Sequence, residues 1–124
     1  MADKMEAFWK MINSHLEIGG VGNLMSSLEI APYVWMVITG GWECDSTPND
    51  ENLSSLEEYS RLQVTLHGPD GYTIPPASVP GLESFSEMIY ERYPNTYIGS
   101  NLHPSDIADM LLHKGIIEVT RTLH

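Results

Sequence analysis

The sequence predicts an α+β fold: a single compact domain over residues 1–124, with a mainly antiparallel sheet, an N-terminal helix and two further helices. Three observations carry that prediction. Apolar residues recur at helical spacing at the start of the chain, β-rich segments with a turn directly after them occupy the middle, and the elements come in blocks rather than in strict β-α alternation. At 124 residues and 42% hydrophobic content, the chain is long enough for one core and too short for two.

Met5, Phe8, Trp9, Ile12 and Leu16 are three or four residues apart, with Asp3, Glu6, Lys10, Asn13 and Ser14 between them, so the first sixteen residues read as an amphipathic helix ended by Gly19 and Gly20. Gly19 to Ser27, mixing glycine, asparagine and serine, reads as a loop, and Gly20-Val21-Gly22 lacks the third glycine of a phosphate-binding fingerprint. Tyr33 to Thr39 is β-branched and aromatic without polar alternation, the pattern of a central strand. Gly40 and Gly41 then mark either a bulge, with the strand running on through Trp42 to Cys44, or a tight turn. Asp45 to Ser55 is a surface loop by composition.

Leu62, Val64 and Leu66 alternate with Gln63, Thr65 and His67, as in a strand with one wet face. Gly68-Pro69-Asp70-Gly71 follows as a turn, with Tyr72 to Ile74 returning as a hairpin arm. Pro75, Pro76 and Pro80 lead into a predicted helix whose face is Leu82, Phe85, Ile89 and Tyr93, closed by Pro94 and Asn95. After an extended piece around Tyr97 and Ile98, Pro104 opens a helix that buries Ile107, Ala108, Leu111 and Leu112 and ends by Gly115. A last strand is expected from Ile116 to Thr122.

Charge bounds the function. With 17 acidic against 6 basic residues the formal net charge is -11, and no lysine or arginine occurs between Lys10 and Arg61. That distribution disfavours direct binding of nucleic acid or anionic lipid and favours a cationic partner. Cys44 is the only cysteine, so no internal disulfide forms and a reducing, cytoplasmic setting is expected. The longest apolar run, Tyr33 to Ile38, falls far below the roughly 20 residues of a bilayer-spanning helix.

Catalytic signatures are missing: there is no Gly-x-Ser-x-Gly elbow and no nucleotide-binding loop, so no catalytic residue, metal or cofactor is assigned. His103, Asp106, Asp109 and His113 gather around one predicted helix but do not make a complete ligand set, and His113 with Lys114 suits a helix C-terminus electrostatically. The paired carboxylates Asp50-Glu51 and Glu57-Glu58 lie in polar sequence, where both members stay solvated. Trp42 stands at the edge of the acidic stretch, where an aromatic ringed by carboxylates would anchor a protein partner.

These features predict a non-catalytic acidic binding protein whose partner surface comprises Trp42, Glu43, Asp45, Asp50, Glu51, Glu57 and Glu58, and whose partner is a basic protein such as a nuclease or other nucleic-acid-binding enzyme. In size, acidity, single cysteine and lack of motifs, the chain resembles two classes of small acidic inhibitor. One comprises immunity proteins that neutralise nuclease-type toxins, the other phage-encoded anti-defence inhibitors that occupy the nucleic-acid channel of a defence enzyme. Two alternatives compete. One is a ligand-binding protein or enzyme whose site unites His67, His103, Asp106 and His113 in three dimensions, and the other is a homodimer or larger homo-oligomer with a structural role.

Overall fold

The computed structural model describes residues 2–113. The expected strand from Ile116 to Thr122 lies outside the described residues, as do Lys114 and the side chain of His113. The architecture is α+β: an open six-stranded antiparallel sheet with two α-helices. The strands are β1 (Leu16–Ile18), β2 (Leu24–Ala31), β3 (Val34–Gly40), β4 (Leu62–His67), β5 (Tyr90–Tyr93) and β6 (Thr96–Leu102), in the order β1-β2-β3-β4-β6-β5. Helix α1 spans Ala2–Asn13 and α2 spans Pro104–His113.

The register sorts the side chains. In β3 and β4, Met36 is opposite Leu66 and Ile38 opposite Val64, so Val34, Met36, Ile38, Leu62, Val64 and Leu66 share one face. There they meet Phe8, Trp9 and Ile12 of α1 and Ile107, Ala108 and Leu111 of α2 in one hydrophobic core. The rings of Phe8 and Trp9 pack edge to face at 5.0 Å. The other face carries Trp35 opposite His67, Val37 opposite Thr65 and Thr39 opposite Gln63, with Val37, Thr39 and Thr65 buried.

Several expectations are corrected. Helix α1 ends at Asn13, not Leu16, because the Asn13 side-chain amide donates to the Trp9 carbonyl and Leu16 already pairs with Ser26 as part of β1. The segment read as a loop to Ser27 is a short turn from Gly19 to Asn23 followed by β2. Ser26 hides that strand: it is polar yet 1% exposed on the core side, its hydroxyl donating to the Ile12 carbonyl at 2.7 Å.

The helix expected to carry Leu82, Phe85, Ile89 and Tyr93 is absent. Two 3₁₀ turns, Pro76–Ser78 and Glu83–Glu87, bury Leu82, Phe85 and Ile89 instead, and Tyr93 belongs to β5. Here the backbone closes i→i+3 bonds, Phe85 N–H to Leu82 and Met88 N–H to Phe85, and these turns deliver the same apolar side chains to the core. Of the two further helices, α2 alone is an α-helix. The arm returning from the Gly68–Gly71 turn shrinks to one bridge, His67 to Thr73, since β6 takes the free edge of β4. At Gly40 the strand ends and Gly41, with φ of 106°, begins a turn, which decides between the two readings of that glycine pair.

Gly40 is also a packing requirement. A Cβ there would lie 2.9 Å from the Tyr59 ring and 3.0 Å from Leu62. Gly40→Ala is expected to destabilise the fold by about 1–3 kcal/mol; urea unfolding followed by tryptophan fluorescence measures it, and wild-type stability would show that Tyr59 yields freely.

Candidate protein-binding surface

Strand β3 delivers its C-terminus to the end of the sheet where α1 stops, and the acidic stretch is built there from side-chain bonds to backbone. The Gly41 amide donates to the Ser46 hydroxyl at 3.0 Å, and that hydroxyl donates to the Pro48 carbonyl at 2.7 Å. Asn52 donates to the Gly22 carbonyl at 2.6 Å and Asn23 to the Trp42 carbonyl at 3.1 Å, so the turn before β2 and the loop after β3 are stitched together. Buried Tyr59 holds the loop from inside: its hydroxyl accepts from the Leu53 amide at 2.9 Å and donates to the Glu51 carbonyl at 3.4 Å. Burial pushes this phenol above its ordinary pKa, which keeps it a neutral donor.

The expected partner residues are placed as follows. Trp42 is 45% exposed beside the Gly19–Asn23 turn, where Val21 is 54% exposed. Glu43 follows it, exposed and in the left-handed region with φ of 54°. Asp50 and Glu51 are exposed on the loop stitched to that turn. Glu57 and Glu58 are exposed on a 3₁₀ turn, Leu56–Glu58, clamped to the end of α1 by Asn13, which accepts from the Leu56 amide at 3.0 Å and donates to Glu57 at 2.6 Å. The hydroxyls of Ser54 and Ser55 both donate to Glu58 at 2.6 Å and hold its carboxyl below the ordinary glutamate range.

Asp45 stands apart. Its carboxylate accepts from Ser100 at 2.6 Å and pairs with Arg92 at 3.5 Å, its amide donates to Gln63 and its carbonyl accepts from the Asn101 amide, so it staples the loop to β4 and β6. Arg92–Asp45 is the one ion pair among the described residues. Trp42, Glu43, Asp50, Glu51, Glu57 and Glu58 therefore present their side chains around one end of the sheet, and none of these carboxylates forms an ion pair among the described residues.

Of the histidine and aspartate alternative, His67 lies apart from His103, and the side chain of His113 is outside the described residues. His67 ends β4 and His103 follows Leu102, which is paired with Leu62 at the other end of β4, so about 17 Å of strand separates them. The His67 ring is fully engaged, with Nδ1 on the Gly71 carbonyl and Nε2 on the Thr65 hydroxyl, each at 2.9 Å. A carbonyl only accepts, so Nδ1 is the donor in its contact with Gly71. Among the described residues no three His, Cys, Asp or Glu side chains are grouped to hold a metal ion. An apolar void between the sheet and α2, lined by Met36, Val64 and Met110 among others, measures about 10 Å³, too small for a ligand. Cys44 is buried, which pushes its thiol up and keeps it unreactive. No described helix is long and apolar enough to cross a membrane.

Comparison of the chain with protein-family models, curated proteins and solved structures found no match.

Two outcomes test this geometry. Tyr59→Phe removes both hydroxyl contacts and is expected to cost about 1–2 kcal/mol and to speed amide exchange at Leu53; unchanged exchange would detach the loop from Tyr59. The Glu58 carboxyl is depressed in the folded state, so its contribution to stability is full above the ordinary value of 4.5 and is lost as pH falls through the lower folded value. A carbon-detected NMR titration should give a Glu58 midpoint below 4.5 that returns toward it in a Ser54→Ala, Ser55→Ala variant.

Proposed function

We infer that the chain is an acidic, non-catalytic binding protein that acts in the cytoplasm to inhibit a basic protein, as a phage anti-defence inhibitor or a toxin-neutralising immunity protein acting on a nucleic-acid-binding enzyme. The observation that carries this reading is the half-exposed Trp42 among exposed carboxylates that form no ion pair among the described residues. Lysines and arginines that normally contact phosphate are the complementary surface. Long-range attraction to them accelerates encounter, and desolvation of Trp42 and Val21 prolongs the complex.

The carboxylates divide by what else they do. Glu57 and Glu58 accept hydrogen bonds that hold their own turn, whereas Asp50 and Glu51 make no side-chain hydrogen bond among the described residues. The second pair is therefore the cleaner probe of charge.

The test begins with affinity capture from host lysate and from cells carrying defence or toxin systems, eluted by a salt step, followed by assay of the captured enzyme on its nucleic acid. A basic nuclease released by salt and inhibited by the protein supports the reading; an enzyme that stays active when saturated with the protein overturns it. With that partner, Asp50→Lys together with Glu51→Lys should slow association about tenfold at low salt and leave thermal stability near wild type. An unchanged association rate would remove both residues from the encounter surface.

A further inference from the structure

The other end of the sheet has a different chemistry. The register brings three turns together there: Pro32-Tyr33 between β2 and β3, Gly68–Gly71 beyond β4, and Pro94-Asn95 between β5 and β6. Trp35 of β3 pairs with His67 of β4, which fixes the first turn beside the second. Thr73 fixes the second beside the third, its hydroxyl accepting from the Tyr97 amide at 3.1 Å and donating to the Asn95 carbonyl at 3.4 Å. Each turn exposes a tyrosine: Tyr33 is 68%, Tyr72 74% and Tyr93 62% accessible.

The three turns share one device. A carboxylate accepts the backbone amide of the turn, Glu29 from Tyr33 at 3.2 Å, Asp70 from Tyr72 at 3.2 Å and Glu91 from Asn95 at 2.8 Å. Each tyrosine is thus mounted beside an anionic group on a held turn. Tyr33 even adopts φ of 61°, a conformation in which L side chains are rare. The segments 29–34, 67–73 and 91–97 contain one cation, Arg92, and its guanidinium is occupied by Asp45 and Ser100. With strands about 4.8 Å apart, the turns from β2 to β5 line roughly 19 Å of sheet end.

We propose that this end of the sheet is a docking surface for an arginine-rich segment of the basic partner, with Tyr33, Tyr72 and Tyr93 supplying the ring faces and Glu29, Asp70 and Glu91 the countercharge. The proposal rests on the reading of the chain as a binder of a basic protein and names a second face, away from Trp42, that it uses. Guanidinium planes stack on tyrosine rings, and the field of the three carboxylates draws them in. Rigid tyrosines bury large area while losing little conformational freedom. Lysine shares the charge but not the planar stacking, so arginine is the side chain this surface selects.

The experiment titrates isotopically labelled full-length chain with a nona-arginine and a nona-lysine peptide, followed by NMR at about 0.15 M ionic strength, where surface charge alone is largely screened. Nona-arginine is expected to bind about tenfold tighter than nona-lysine, with amide shifts centred on Tyr33, Tyr72 and Tyr93. A Tyr33→Asn, Tyr72→Ser, Tyr93→Ser variant should lose the preference, and the matching triple phenylalanine variant, which keeps every ring, should retain it. Equal affinity for the two peptides overturns the proposal. Shifts confined to residues 42–58 also overturn it while leaving the acidic-loop reading intact, and failure of both peptides to bind removes both.

Discussion

The pairing of β3 with β4 is the constraint on which the rest depends. Five register pairs, from Trp35 opposite His67 to Thr39 opposite Gln63, lock these two strands in the middle of the sheet. Because side chains alternate, a slip of one residue in β4 would turn Val64 and Leu66 away from the face that Met36 and Ile38 share with both helices and break the core. The same register decides what meets at each end. It sets the β2–β3 turn next to the turn beyond β4, and it carries Gly40 toward Tyr59 and Leu62, where the acidic loop is moored.

The two ends solve one physical problem in different ways. A surface loop that must be ordered on binding costs conformational entropy at that moment, so a loop already held costs less. At the acidic end, neutral groups bonded to backbone, Asn13, Asn23, Asn52, Ser46 and Tyr59, join Asp45, Glu57 and Glu58 in the holding. That choice keeps Asp50 and Glu51 free of internal partners. At the tyrosine end the carboxylates themselves hold the turns, so their charge stays near the rings while their geometry is fixed.

Much of the fold was legible from pattern. β-branched density marked the strand at 33–39 and period-two alternation the one at 62–66, while Pro104 with Ile107, Ala108 and Leu111 marked α2; all three stand within a residue or two of expectation. What pattern missed has identifiable causes. Ser26 puts a hydroxyl where alternation demands an apolar group, and only the Ile12 carbonyl across the core makes that acceptable. The spacing of Leu82, Phe85 and Ile89 suits an α-helix and equally two tight turns, and local spacing cannot separate them. Tyr90-Glu91-Arg92-Tyr93 has no alternation because β5 is an edge strand exposed at every position. At the candidate site, the density of acid was readable from the chain, but the diversion of Asp45 to Arg92 and Ser100 was not, since those residues lie 47 and 55 positions away. The tyrosine end left no mark in the sequence: Tyr33, Tyr72 and Tyr93 are far apart in the chain, and only the register brings their turns to one end of the sheet.

A count of charge therefore says less than its division of labour. Asp45 is neutralised, Glu29, Asp70 and Glu91 are turn acceptors, and Glu57 and Glu58 are caught in clasps with Asn13 and two serines. Each of these anions keeps its charge, yet each pays in mobility, and a fixed anion is the better partner for a fixed cation because less order is imposed on contact. If the partner is basic as proposed, freely solvated carboxylates such as Asp50 and Glu51 would act through the long-range field, which governs how fast a cationic surface arrives. Fixed carboxylates beside exposed rings would act at contact, which governs how long it stays. On the proposed reading, three exposed tyrosines mounted on held turns, one of them in a left-handed conformation, are what a docking surface would add to a merely acidic one.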